Sequence, residues 1–330
     1  AQTIMLPRVS QKSTVIQQVG LSKVKIIYHS PAVNGRSIWG ALVPYDQMWR
    51  AGANDNTIIY FSDDVKIEGK SLAAGAYGLY MTPHQNSVDI IFSSSTSNWG
   101  SILPTQEEIV LSVNVQQKEA PHTEWLNYGF TNRGGNAVTA NLNWEKWCIP
   151  FNIEVDVNSV VLDHIRGELK SLAGFGYLGR EQAARYCLTN DVSLDEAMVW
   201  IDGSIQAERR FSNLIVKAGL LQKQGKGEEA ASLSEEALSL ASPAQVNIYG
   251  YQLMNGGKVD QALKVFLGNI ESTPKTHPFY WGFVDSVGEA YLKKGDKKNA
   301  IKYYSMAKEY APANRQSYLD GVIQGIKDKM

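Results

Sequence analysis

Two hydrophobic periods divide the chain. Up to about residue 156 apolar residues alternate with polar ones. Ile109, Leu111, Val113 and Val115 are interleaved with Val110, Ser112, Asn114 and Gln116. Leu126, Tyr128 and Phe130 follow, and then Val138, Ala140, Leu142 and Trp144 against Thr139, Asn141, Asn143 and Glu145. A period of two with one apolar face is the pattern of half-buried antiparallel strands. Shorter runs at Val24–Tyr28, Ile38–Val43, Thr57–Ser62, Tyr77–Thr82 and Val88–Ser93 read the same way. Turn signals such as Val33-Asn34-Gly35, Glu68-Gly69-Lys70 and Asn132-Arg133-Gly134-Gly135 separate them. Many short strands without an intervening helix predict an antiparallel β-sandwich or jelly roll over residues 1–156.

Near Asp156 the period becomes helical and stays so to the end, predicting a second, all-α domain over 157–330. Three stop signals share a register: Gly225-Lys-Gly-Glu-Glu-Ala230, Gly257-Lys-Val-Asp-Gln-Ala262 and Gly295-Asp-Lys-Lys-Asn-Ala300. Ala230 to Ala262 is 32 residues and Ala262 to Ala300 is 38, with Pro243, Pro274 and Pro312 closing the units. The pattern resembles the tetratricopeptide repeat, a helix-turn-helix unit of about 34 residues. Small residues then face one another across each helix pair: Ala218, Gly250 and Gly288 on the first helices, Ala230, Ala262 and Ala300 on the second. Ser193–Ala197 keeps the register of an earlier unit, and Gln316–Lys329 reads as a capping helix. Such an α-solenoid implies a peptide or protein partner.

The densest set of geometry-dependent residues lies between Tyr28 and Thr57. Pro31 and Pro44 force extended backbone before them, and Gly52 and Gly75 permit conformations closed to other residues. Arg36 and Arg50 sit among Trp39, Tyr45 and Trp49 and suit either stacking on rings or gripping a carboxylate. The run GRSIWGALVPY from Gly35, then WRAGAN from Trp49 and AAGAYGLYMTP from Ala73 are similar to the secreted bacterial domain-of-unknown-function family 2911, over about residues 20–155. That resemblance implies a β domain preceding helical repeats and names no activity. At Asp55-Asn56 the chain departs from the family's usual Glu-Ala, which shortens the acidic arm.

Arg36, Trp39, Tyr45, Trp49, Arg50, Asn54 and Asp55, with His84 beside them, are therefore the candidate ligand-binding residues; no catalytic residue is assigned. In one reading they wall a polar pocket for a sugar or peptide; in the other they brace the loops. A hydrolase centred on Arg36, Arg50 and Asp55 and a purely structural module are the alternatives to a binding protein.

Composition narrows the chemistry. Lys+Arg 32 against Asp+Glu 33, a formal net charge of -1, gives no footprint for nucleic acid or an anionic membrane, and no apolar run is long enough to span one. The five histidines include no helical i, i+4 pair, so no metal is expected, although His29, His84 and Asp55 are placed to meet across a sheet. No P-loop, dinucleotide fingerprint or nucleophile elbow occurs, so no cofactor is expected. The opening Ala1-Gln2 reads as an exported chain, periplasmic or extracellular, past a small-residue cleavage site. Cys148 and Cys187, one per half, are either an interdomain bridge or two buried thiols.

Overall fold

The structure is a computed structural model describing residues 6–329. Contacts divide the chain into two compact units, one running to Glu168 and the other from Leu169.

The first unit holds strands β1 (Gln11–Val19), β2 (Ser22–Ser30), β3 (Ile58–Phe61), β4 (Val65–Ile67), β5 (Lys70–Leu72), β6 (Gly75–Pro83), β7 (Val88–Ser93), β8 (Ile109–Val115), β9 (Lys118–Thr131) and β10 (Ala137–Val155). They form a six-stranded sheet ordered β1-β2-β3-β6-β7-β8 and a four-stranded sheet ordered β5-β4-β10-β9, with every pair antiparallel. One core joins the two sheets, with Ile26, Ile59, Leu79, Ile90 and Phe92 from the larger and Leu126, Leu142, Trp144, Phe151 and Ile153 from the smaller. The alternation in the sequence is thus the signature of a sandwich. Helix α1 (Val157–Glu168) starts where Asp156 accepts the Ser159 amide at 3.1 Å, and its Val157 and Val160 pack on this core.

Two local expectations are corrected. Ile38–Val43, read as a strand, is a tight turn: Gly40 has φ +77 and the Val43 amide bonds back to the Ile38 carbonyl at 2.9 Å. Ile38 and Val43 are both buried because the chain reverses between them, not because they alternate on a pleat. Strand β1, absent from the sequence reading, is an edge strand whose residues are mostly exposed or half-buried. With little apolar surface to bury, it leaves a weak pattern.

The second unit contains α2 (Tyr177–Asn190), α3 (Leu194–Ala207), α4 (Phe211–Lys223), α5 (Gly227–Ser239), α6 (Pro243–Asn255), α7 (Val259–Ser272), α8 (Tyr280–Lys294), α9 (Lys297–Tyr310) and α10 (Ala313–Lys327). The helices pair in sequence order, α2 with α3, α4 with α5, α6 with α7 and α8 with α9, and α10 closes the array on α9. Gly225, Gly257 and Gly295 take φ of +77, +79 and +88. At each, two backbone bonds tie off the preceding helix, as in Lys226 N to Leu221 O at 3.0 Å and Gly225 N to Gln222 O at 3.2 Å. This is the left-handed helix stop that glycine makes at low cost. Beyond each stop, Ala230, Ala262 and Ala300 are buried at the pair interface, as is Ala197 in the earlier pair. The helical half is therefore the expected repeat array.

Candidate functional site

Residues 31–57 form no strand longer than an isolated bridge and are held instead by turns and side chains. The left-handed residues here are Asn34, Gly35, Gly40, Asp46, Ala51 and Asn54, and not Gly52. Ala51, at φ +50 and fully buried, is held by its carbonyl, which accepts from the Tyr128 hydroxyl at 2.9 Å and the Thr57 hydroxyl at 3.1 Å. Gly52 is needed for space, since a Cβ there would lie 2.6 Å from Thr57 Oγ1.

The expected single cluster is two. In the first, Trp39 stacks on Trp147 with centroids 4.4 Å apart and planes 10° apart, and meets Trp49 and Trp144 edge-on at 6.0 Å each. Trp49 stacks on Trp144 at 5.7 Å, and Tyr45 lies 6.3 Å from Trp147. Trp144 and Trp147 were not among the expected residues. Three positions apart on a regular strand they would face opposite ways, but the β9–β10 register shifts on both sides of Glu145, where β9 carries the extra residues, and Glu145 itself has φ +55. The left-handed residue breaks the alternation along β10, and both rings reach Trp39. A Trp-x-x-Trp pair on one strand was the available signal.

The second cluster is polar. Asp55 accepts from Arg8 at 2.7 Å, and His29 Nε2 lies 3.8 Å from its other oxygen. Arg50 donates to the Gly100 carbonyl at 2.9 Å, and Asn54 donates to the Ser10 carbonyl at 3.0 Å. Two buried nitrogens here have no partner, Arg50 Nε and His29 Nδ1. Arg36 joins neither cluster: it is exposed, and its guanidinium binds the Ala32 and Val33 carbonyls at 2.6 and 3.0 Å. His84 also lies apart from Asp55, between Asp46 at 2.5 Å and Asp89 at 3.1 Å.

The electrostatics follow from these partners. The Arg8 hydrogen bond holds Asp55 below the usual carboxylate range. Burial lowers His29, against the opposing pull of Asp55, and burial also lowers Arg50. Hydrogen bonds that His84 donates to Asp46 and then to Asp89 raise its pKa above 6.5. Imidazole titrations by NMR should therefore place His29 below 6.5 and His84 above it, with Asp46→Asn returning His84 toward 6.5. The stability lent by His84 is present below pH 6.5 and is lost as pH rises through its raised folded value. His29 acts oppositely: its protonation favours the unfolded chain, so stability falls as pH drops below 6.5. A reversed order of the two titrations would contradict the cluster assignments.

A groove of about 610 Å³ lies elsewhere on this unit, lined by Asp63, Asp64, Asp156, Asp163 and His164 among others. All four of these carboxylates are engaged within the fold: Asp63 with the Ser62 hydroxyl, Asp64 with the Ala74 amide, Asp156 with the Ser159 amide and Asp163 with Arg166. Among the described residues no group of three or more His, Cys, Asp or Glu side chains is placed to hold a metal ion. Cys148 is half-buried, with its thiol raised by burial, and Cys187 is buried; each is a thiol inside its own unit. No helix among the described residues is long and apolar enough to cross a membrane.

In the second unit, side chains join alternate helices into a continuous layer. Phe211 of α4 meets Tyr249 of α6 edge-on at 6.0 Å. The Tyr251 hydroxyl of α6 donates to Glu289 of α8 at 2.7 Å, and Arg315 of α10 lies over Trp281 of α8 at 6.0 Å. Tyr318 of α10 is more than half exposed beside them, and Phe211, Tyr249, Tyr251 and Trp281 are partly exposed.

Residues 10–153 match the model of a family described as a protein of unknown function, DUF2911. No curated protein matches the chain. Among solved structures, PilF of Pseudomonas aeruginosa is similar at 14% identity over 51% of this chain and 70% of that one, with a TM-score of 0.31. YrrB, described as a TPR protein with an unusual peptide-binding site, is similar at 16% identity over 48% and 81%, TM-score 0.29. The C-terminal part of a TPR repeat-containing protein from Cytophaga hutchinsonii is similar at 15% identity over 52% and 67%, TM-score 0.34.

Proposed function

We propose that the chain is an interaction protein whose helical unit holds a peptide or protein segment along α4, α6, α8 and α10. The observation that carries this reading is the layer just described, in which partly exposed rings and polar tips line up across four helices. Stacked repeats bury their faces on neighbours and leave an extended surface suited to a linear partner. The test is selection of peptides from a random displayed library on the full chain, followed by hydrogen exchange with and without the selected peptides. Protection concentrated in α6, α8 and α10 is the expected result. No enrichment, or protection confined to the β unit, would overturn it.

The β unit has the second part in this proposal, a seat for a small polar ligand at Arg50, Asn54 and Asp55. The unpartnered Arg50 Nε and His29 Nδ1 support it, because buried donors and acceptors rarely go unpaired without a reason. A hydrolase centred on Arg36 has less support, since Arg36 is committed to backbone carbonyls. That the two units fold separately belongs to the same proposal, as does export, which rests on the family resemblance.

A further inference from the structure

The second unit contains acceptors that its own fold leaves unsatisfied. Helix α8 presents Asp285 and Glu289 one turn apart, an i, i+4 pair of like charges that repel. Glu289 is held by the Tyr251 hydroxyl, but Asp285 makes no hydrogen bond and its Oδ1 is sealed from solvent. Tyr304 of α9 is 4% exposed, its hydroxyl has no hydrogen-bond partner, and its charged neighbours are Asp285 and Glu289. Tyr318 of α10 shares those two neighbours. No lysine or arginine among the described residues forms an ion pair with either carboxylate, and Arg315 lies over Trp281 instead.

A cluster built only for stability would balance its carboxylates with a cation or replace them with apolar groups. Here two carboxylates and a tyrosine oxygen meet with no positive charge among them, and burial, with Glu289 adding to it, pushes Asp285 up to about 6. The complement is a positive group rich in N–H donors, which carboxylates accept and tyrosine faces favour. We propose that the Asp285–Glu289–Tyr304 cluster receives a cationic side chain, lysine or arginine, of the segment bound along the even-numbered helices. This rests on the peptide reading above and names what that peptide must carry.

The experiment uses peptides selected against the full chain, acetylated and amidated so that only side chains carry charge, with affinities from fluorescence anisotropy. Replacing the peptide's basic residue by norleucine is expected to weaken binding by roughly tenfold or more. Asp285→Asn and Glu289→Gln should each do the same to the original peptide and have little further effect on the norleucine peptide, since both changes remove one interaction. Exchanging lysine for arginine in the peptide tells which of the two the site prefers. Asp285→Asn should leave the melting temperature unchanged or raised, because it removes an uncompensated charge, which separates binding from a structural role. Affinity should also fall as pH drops through about 6, where Asp285 takes up a proton. The groups facing it are Glu289 on its own helix, Tyr251 from α6, Tyr304 from α9 and Tyr318 from α10, while Arg315 of α10 neighbours Tyr318. Peptides that bind equally well without a basic residue, or unchanged affinity in both carboxylate variants, would overturn this inference alone. If no peptide is retained at all, the peptide reading falls and this falls with it.

Discussion

Gly250→Ala is expected to weaken the helical unit by about 1–3 kcal/mol, the range for overpacking a closed interface. Adding a methyl group to a glycine inside a helix ordinarily stabilises it by about 0.5–1 kcal/mol. At Gly250 the new Cβ would lie 2.3 Å from Cε1 and 2.7 Å from Cδ1 of Phe266 on the paired helix. Phe266 is fully buried and held edge-on by Tyr251 at 5.2 Å, so its ring has nowhere to go. Gly268, one helix away, supplies the opposite sign: it is exposed with nothing within 4 Å of a Cβ, and Gly268→Ala should stabilise. Urea unfolding followed by helical ellipticity measures both. Shifts of the same sign and size would mean that the repeat register is wrong.

Trp144→Ala should cost about 3–5 kcal/mol, the largest effect of any single truncation proposed for the β unit. Trp144 is 1% exposed, stacks on Trp49 and meets Trp39 edge-on, so its removal opens a void beside both rings. Its Nε1 has no hydrogen-bond partner, so Trp144→Phe loses no hydrogen bond and should cost much less. Calorimetry should show the lower-temperature shift in the β unit's transition, with the helical transition unmoved. A small effect of Trp144→Ala would mean that the aromatic cluster is loosely packed.

The large divisions of this fold were legible because each rests on a repeated local rule. The change of period at Asp156 coincides with the start of α1, and the glycines at 225, 257 and 295 mark the stops because only a left-handed residue ends those helices so tightly. What escaped the sequence depends on single departures from regularity. The left-handed backbone at Glu145 interrupts β10 between Trp144 and Trp147, and no alternation rule brings both rings to Trp39. Ala51 occupies a left-handed conformation that its residue type argues against, and Gly52 beside it does not. Of the candidate residues, Trp39, Tyr45 and Trp49 meet in one cluster and Arg50, Asn54 and Asp55 lie in another, while Arg36 and His84 find partners of their own. The Asp285 cluster draws on α6, α8, α9 and α10, so no stretch of sequence contains it.

The three glycine stops also bear on how such a chain changes length over time. Each closes its helix with backbone bonds made within the same turn, for example Gly257 N to Met254 O and Lys258 N to Leu253 O, and borrows nothing from a distant segment. A duplicated helix pair inserted at such a joint brings its own closure and needs only the Ala–Gly register to dock on its neighbours. The array can thus gain or lose whole pairs by unequal recombination. The sheets have no such freedom, because β3 is paired on both sides by β2 and β6, and β10 by β4 and β9, so a deletion there unzips a neighbour.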